Sequence, residues 1–362
     1  MRGAQTHQSS MLCLMSPESR VPQAHPLRSI KALADRVLAE MSPVFDSMYA
    51  STGRPSVPPE RLLKSMLLMA LYTVRSERQF CEQLDYNLLF RWFLEMDMVE
   101  ESFDASTFSR NRERLLQHEV TGLFFRAVVA EAQAGSLMSS EHFSVDGTLI
   151  EAWASMKSFR AKDGSDDDQD GNGWIDFKGK RRSNETHESR TDPEAKLMRK
   201  GAGKEAKLSF SAHALMDNRN GLLMDFRIAD ASPKSEPETA LRMVDEAVAG
   251  SHRVTVGADR GYDTKAFVEG ARQLHVTPHV AQYRKGEGRR GSAIDARTTR
   301  HRGYQSSLRV RMRIEQVFGW MKTAGHFRRT RFRGKRRTQL AAYMVAAAYN
   351  LLRIAKLRAQ CA

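Results

Sequence analysis

Three acidic residues hold positions where a carboxylate could do chemistry. Asp146 lies inside the strand-like run "HFSVDGTLIEAW", Asp259 ends "VTVGAD", and Glu315 lies in "LRVRMRIEQVFGWMK". Asp is disfavoured within strands, so Asp146 asks for a reason. Strand alternation sends Phe143, Val145 and Leu149 to one face, and Ser144, Asp146 and Thr148 to the other. Alone, that describes an ordinary polar face equally well. Asp259 follows Val254 and Val256 at the carboxyl end of a short apolar strand, with Gly261 allowing a sharp turn beyond it. Ligands of open α/β sheets gather beyond such strand ends, although a turn hydrogen bond or an Arg260 pair would also explain this Asp. On a helix turning about 100° per residue, Arg311 lies about 40° and Lys322 about 20° from Glu315. Val310, Ile314, Val317 and Met321 form the opposing apolar stripe, and Gly319 leaves room beside the polar one. Ordinary i,i+4 ion pairing would produce the same stripe.

Taken together, two strand-borne aspartates and a helix-borne glutamate supply oxygen ligands for hard divalent cations. Mg²⁺ favours such carboxylates and is completed by water and substrate phosphates. Two ions can serve the attacking and leaving oxygens of an in-line displacement. The rest of the composition points to a phosphate-rich substrate. The 362 residues carry 57 Lys and Arg against 43 Asp and Glu, a net charge of +14. Such a chain usually meets a polyanion. Basic residues crowd between Arg284 and Arg337, in "YRKGEGRRG", "RTTRHRGY" and "HFRRTRFRGKRRTQL", interleaved with Tyr304, Phe327 and Phe332. A run of this kind offers many phosphate ligands, although a solvated basic tail would look the same. No uninterrupted apolar run of 18 residues signals a membrane span, and Cys13, Cys81 and Cys361 have no metal-binding or disulfide spacing. These features predict a reducing cytoplasm, with neither a signal peptide nor a membrane partner.

The elements that would position the acids fall into two parts. Residues 1–27 lack periodicity and read as a loose tail. Residues 28–138 read as an all-helical region. Pro59 starts "PERLLKSMLLMALYTV", and "ERQFCEQLDYNLLFRWFL" follows. Asp104 or Ser106 then caps a helix bearing Arg110, Arg112 and Arg114. A short helix, a turn and a basic helix suggest a helix-turn-helix recognition element, with a plain α-bundle as the alternative. From 139 the pattern turns to alternating strands and helices. "AKLSFSAHALMD" and "GLLMDFRIAD" form a hairpin around Asn220-Gly221. "EPETALRMVDEAVAG" is a helix ended by Gly250. "DTKAFVEGARQLH" is a helix capped by Asp263, "VTPHVAQ" a strand, and "TQLAAYMVAAAYNLLRIAKL" a terminal helix. The stretch 155–203 is too polar to build a core and reads as a disordered insertion or flap. Within it Asp166, Asp168, Asp170 and Gly171 match the start of a calcium loop, but Phe177 takes the place of the closing Glu.

With these motifs in view, the chain resembles bacterial insertion-sequence transposases of the DDE type, in particular the insertion-sequence-five group, over about residues 28–355. "FSVDGTLIEAW" looks like the segment of the family's first Asp, at Asp146, and "GADRGYDT" like that of the second, at Asp259. The family's third motif is Tyr-x2-Arg-x3-Glu-x6-Lys. Arg311, Glu315 and Lys322 match its spacing, whereas Leu308 stands at the Tyr position. The resemblance implies a ribonuclease H-like catalytic domain over 139–335, a mixed five-stranded sheet flanked by helices. The first Asp would sit on the central strand, the second just after the fourth, and the Glu on a later helix. A C-terminal helix over 336–362 and an N-terminal domain that binds the terminal inverted repeats complete it.

The expected activity is metal-dependent hydrolysis at the element ends, then 3′-OH strand transfer into target DNA, with no covalent protein–DNA bond. Asp146, Asp259 and Glu315 would be the catalytic residues and would hold two Mg²⁺ ions, with Mn²⁺ as a possible substitute. Arg311 and Lys322 would contact DNA near the cut, Arg328, Arg329, Arg331 and Arg333 the flanking DNA, and Arg110, Arg112 and Arg114 the recognition sequence. The active form would be a homo-oligomer on DNA in the bacterial cytoplasm, nucleoid-associated when bound. A non-catalytic DNA-binding derivative and another ribonuclease H-like nuclease are the alternative functions.

Overall fold

A computed structural model describes residues 16–49, 56–163, 183–201, 203–232, 235–248, 253–283 and 291–361. The calcium-loop candidate, Gly250 and residues 284–290 of the basic run lie outside the described residues. The first part is helical: α1 (Pro17–Arg20), α2 (Leu27–Glu40), α3 (Ser42–Ser47), α4 (Pro59–Leu71), α5 (Glu77–Tyr86), α6 (Leu88–Phe93), α7 (Ala105–Gln117) and α8 (Val120–Ala134). Pro59 opens α4, and Asp104 caps α7 by accepting from the Ser106 and Thr107 amides. The run expected to hold one helix over 77–94 divides at Asn87, whose side chain caps α6. Residues 16–27, expected in the loose tail, are ordered. Val21 is buried, and Glu18 accepts from Trp92 Nε1 and Arg28.

The second part holds β1 (His142–Glu151), β2 (Phe159–Ala161), β3 (His187–Ser189), β4 (Lys196–Arg199), β5 (Ala206–Asp217) and β6 (Leu223–Asp230). There follow α9 (Ser235–Val248), β7 (Val254–Ala258), α10 (Lys265–Gln273) and β8 (Val276–Val280). Last come α11 (Ala296–Thr299), α12 (Arg302–Val310), α13 (Arg313–Lys322) and α14 (Lys335–Cys361). The main sheet runs β6-β5-β1-β7-β8, antiparallel from β6 to β1 and parallel from β1 to β8. This is the expected ribonuclease H-like arrangement. Short β4 continues the outer edge of β5 where β6 ends, as a sixth strand.

The polar insertion is therefore not loose throughout. Its flanks form the β2–β3 hairpin and β4, over a small core of Ala152, Phe159, Ala195, Leu208 and Phe210. Few apolar residues suffice there because the hairpin leans on the main sheet.

Both sheet faces are covered. Phe143 and Val145 of β1 join a core with α9, α10 and α12. On the opposite face Ile150 joins Ala212, Ala214 and Met216 beneath α13 and α14. That second core runs without a break into α2, α4 and α8, so the helical part and the sheet share one interior.

α14 is long and apolar enough to cross a bilayer by length and composition, but it packs inside the protein against α4, α8 and β6. It also serves the free edge of β6. Asn350 accepts from the Leu223 N–H at 2.9 Å and donates to the Leu223 carbonyl at 2.8 Å. Gln339 does the same for Ile228 N–H and Phe226 C=O, at 2.6 and 2.9 Å. Buried backbone groups without partners would be costly, so these amides replace a missing strand.

α7 is built into this shared interior. Arg112 is buried, paired with Glu77, and its guanidinium stacks 4.7 Å over Phe332. Arg114 stacks at 4.7 Å over Tyr49. Both were expected to read DNA, but packing has committed them, and Arg110 alone of the three stays exposed. Arg112→Ala strips a nearly buried charge pair of one partner and should lower stability by on the order of 3 kcal/mol. Arg110→Ala should stay within about 0.5 kcal/mol. Urea unfolding of both variants measures the difference.

Candidate active site

The parallel register sets the geometry. Phe143 pairs with Val256 and Ser144 with Gly257. Two residues further along, the same register brings Asp146 beside Asp259, where β7 has just ended. β1 continues past that point, paired with β5 as far as Glu151. Asp146 therefore stands at a notch in the sheet. Asp259 caps the turn beyond β7, accepting from the Gly261 N–H at 2.7 Å.

Asp146 is not on a solvated face, contrary to the simplest reading of strand alternation, because α13 covers that side. Burial first, and then the charges of Asp259 and Glu236, push its carboxyl up to about 7. The Gly147 N–H, 2.8 Å from Oδ1, and the Arg311 charge act against that rise.

The third sequence motif is bent. Its expected single helix divides into α12 and α13 at Arg311 and Met312, because α12 packs on β7 and β8 while α13 crosses to β1. Backbone dihedrals at both residues stay helical, so the polar side survives the bend. Ile314, Val317 and Met321 are buried as expected, whereas Val310 is only half-buried. A Cβ on Gly257 would lie 3.5 Å from Arg311 Cβ, which places Arg311 against β7. Lys322 Nζ donates to Thr148 Oγ1 at 2.5 Å, on the Asp146 side of β1. Burial, with Lys200 and Arg328 nearby, pulls the Lys322 ammonium down to about 8. A Cβ on Gly319 would meet nothing within 4 Å, so the space between Glu315 and Lys322 is open. Glu315 is exposed in the first turn of α13. The structure thus brings Asp146, Asp259, Arg311 and Lys322 to one place and leaves the Glu315 carboxylate in solvent beside it.

Among the arginines expected on flanking DNA, Arg328 and Arg333 are exposed. Arg329 donates to the Ala152 and Trp153 carbonyls, and Arg331 donates to the Arg75 carbonyl. Those two hold the segment after α13 in place. Asp263, expected to cap α10, instead accepts from the Tyr283 and Ala293 amides, and Thr264 caps the helix.

Sequence reasoning missed three residues near the aspartates. Glu236, in the first turn of α9, lies across Gly147 so closely that a Cβ there would be 2.5 Å from its Oε1. Burial and then Asp259 raise its carboxyl. Tyr262, in the turn after Asp259, is buried, and its hydroxyl has no hydrogen-bond partner among the described residues. Burial raises that phenol, followed in order by the charges of Glu236, Asp146 and Asp259. His213, directly across the register from Gly147, is buried with neither ring nitrogen bonded to a described residue. Nothing marked Glu236 in the sequence, because acids are common in the first turn of a helix.

With this geometry in hand, the family models decide the class. The model described as "Transposase DDE domain" matches residues 140–351, and one described as "Transposase domain (DUF772)" matches residues 15–114. The chain belongs to the transposase DDE family. It is an insertion-sequence DDE transposase, an enzyme of DNA strand cleavage and strand transfer. No curated protein is similar enough in sequence to serve as a relative. Among solved structures, the transposase is similar to the piggyBac transposase in its synaptic complex with hairpin DNA. The two are 11% identical, with a TM-score of 0.42, over 93% of this chain and 76% of that one. The Mos1 strand transfer complex is 9% identical at a TM-score of 0.20, over 78% and 82%. Neither likeness is close enough to transfer geometry.

Transposases of this family use divalent metal ions, and the donor chemistry fits. Two aspartates meet at a strand end under low dielectric, where a cation would relieve their mutual repulsion. No three His, Cys, Asp or Glu side chains stand close enough to clasp an ion together among the described residues. Without a cation, the raised Asp146 carboxyl is a source of instability. It ionises at about 7 in the fold against about 4 when unfolded, so stability falls as pH rises through that window and stays lower above it. Asp146→Asn should therefore raise the Tm of metal-free protein at pH 8 by at least about 2 °C, with no gain at pH 4, as calorimetry would record.

Proposed function

We propose that this transposase belongs to the insertion-sequence-five group and moves its element with two Mg²⁺ ions held by Asp146, Asp259 and Glu315, Mn²⁺ serving in their place. The observation that carries this reading is the meeting of Asp146 and Asp259 at the notch beside β7, faced by Arg311 and Lys322. The spacing from Arg311 to Glu315 to Lys322 supports the group assignment. Divalent cations supply charge stabilisation for both oxygens of an in-line displacement.

The chain's own residues do the positioning. Lys322, fixed on Thr148, and Arg311, against β7, present cationic donors to the phosphodiester beside the aspartates. In the first step a water oxygen attacks phosphorus at the element end. The bond to the 3′ oxygen breaks, leaving a 3′-OH on the element and a 5′-phosphate on the flank. In the second, that 3′ oxygen attacks a target phosphodiester, loses its proton, and releases a target 3′-OH. Exposed Arg328, Arg333 and Arg110 can follow DNA, in line with the net charge of +14. The partner is DNA, as terminal inverted repeats and target, and the working form is a homo-oligomer on it in the bacterial cytoplasm.

Asp146→Asn should abolish Mg²⁺-dependent nicking of element-end DNA while leaving binding to that DNA within about twofold; residual cutting by this variant would refute the assignment. The Lys322 ammonium is lost as pH rises through about 8. The cleavage rate should consequently decline above pH 8. Lys322→Arg, whose charge persists, should hold its rate to higher pH in a rate–pH profile.

A further inference from the structure

Resting on that reading, we propose that Glu236 is a further carboxylate of the catalytic centre: with Asp146 and Asp259 it binds the divalent cation before DNA arrives. Three observations converge. First, α9 delivers Glu236 from its first turn across Gly147, the residue next to Asp146. The pass is close: with Glu236 as it stands, a Cβ at 147 would lie within 3 Å of its side chain. Gly147 thus keeps a lane open for it. Second, β7 ends at Ala258 while β1 runs on, so the strand next to β1 is missing where Glu236 and Asp259 stand. Through that notch the arm of Glu236 can turn toward the aspartates without crossing a strand. Third, the Tyr262 hydroxyl is enclosed beside these acids and bonds to no described residue. A buried hydroxyl without a partner is costly, and a carboxylate turned into the notch would accept its hydrogen bond.

Glu315 differs in kind. It is exposed on α13, with open space one turn on at Gly319. The geometry assigns the two glutamates to different stages. Glu236 completes the ion's ligands in the DNA-free protein, and Glu315 enters when DNA fills the space along α13. The three inner acids do not clasp an ion as they stand. Rotation of the Glu236 side chain closes the set.

Mn²⁺ binding to DNA-free, full-length protein at pH 8, followed by the loss of the free-ion electron paramagnetic resonance signal, tests this. Asp146→Asn should lose binding. Glu236→Gln should weaken it by about tenfold or more, and Glu315→Gln by less than about twofold. Tyr262→Phe should weaken it several-fold, as the loss of a group that orients a ligand does. Wild-type affinity in Glu236→Gln, with binding lost in Asp146→Asn, overturns this inference and leaves the two-aspartate reading standing. Wild-type affinity in Asp146→Asn overturns both. Should circular dichroism show Glu236→Gln unfolded, Glu236→Asp decides. The shorter acid keeps the charge but falls short of the notch, so weakened binding is expected and wild-type affinity overturns the proposal.

Discussion

Two carboxylates held side by side at a notch in the sheet repel each other, and the sheet around them answers that constraint. The parallel pairing of β1 with β7 forces Asp146 and Asp259 together. The cores on the two sheet faces make relaxation expensive: Phe143 and Val145 anchor one side, and Ile150 the other. Charges of opposite sign are placed close by, Arg311 against β7 and Lys322 on Thr148. The site is therefore unstable by itself and ready for a cation, which is the economy of a metal-dependent enzyme.

The helical N-terminal part has a plainer task than its basic residues suggest. Arg112 and Arg114 are drawn into ion pairing and ring stacking, and Arg112 stacks on Phe332 from the far end of the chain. An arginine stem buries well, and a guanidinium over a ring is favourable, so a basic helix serves as mortar between two parts of a protein. Arg329 and Arg331 act similarly, bonding to backbone carbonyls. The surface that meets DNA is consequently smaller than the count of basic residues implies.

Much of the site was legible in the sequence because strand ends and helix spacing are local signals. Asp146, Asp259 and the Arg311–Lys322 segment could be placed from apolar alternation and period, and the alternation of strands and helices gave a mixed sheet flanked by helices, whose strand order came from the family resemblance. Three things were not legible. The bend at Arg311–Met312 arises because one helix must leave β7 and β8 for β1, which is a tertiary demand. The β2–β3 hairpin and β4 are built from polar sequence that gains its apolar contacts from the main sheet. Glu236 looked like any acid in a first helical turn, and nothing set Gly147 apart. Only their approach in space gives either a purpose.

The side-chain amides of α14 that stand in for a strand along β6 carry a further consequence, for the order in which the protein can be made. This helix is the last 27-residue element of the chain, yet it closes both the sheet edge and the shared interior. Until it leaves the ribosome, β6 presents open backbone groups and an apolar face, the condition in which sheets recruit strangers. A transposase cut short near Thr338 would thus be a sticky sheet rather than a smaller enzyme. The sheet that carries the catalytic notch is closed on this edge only when α14 has docked.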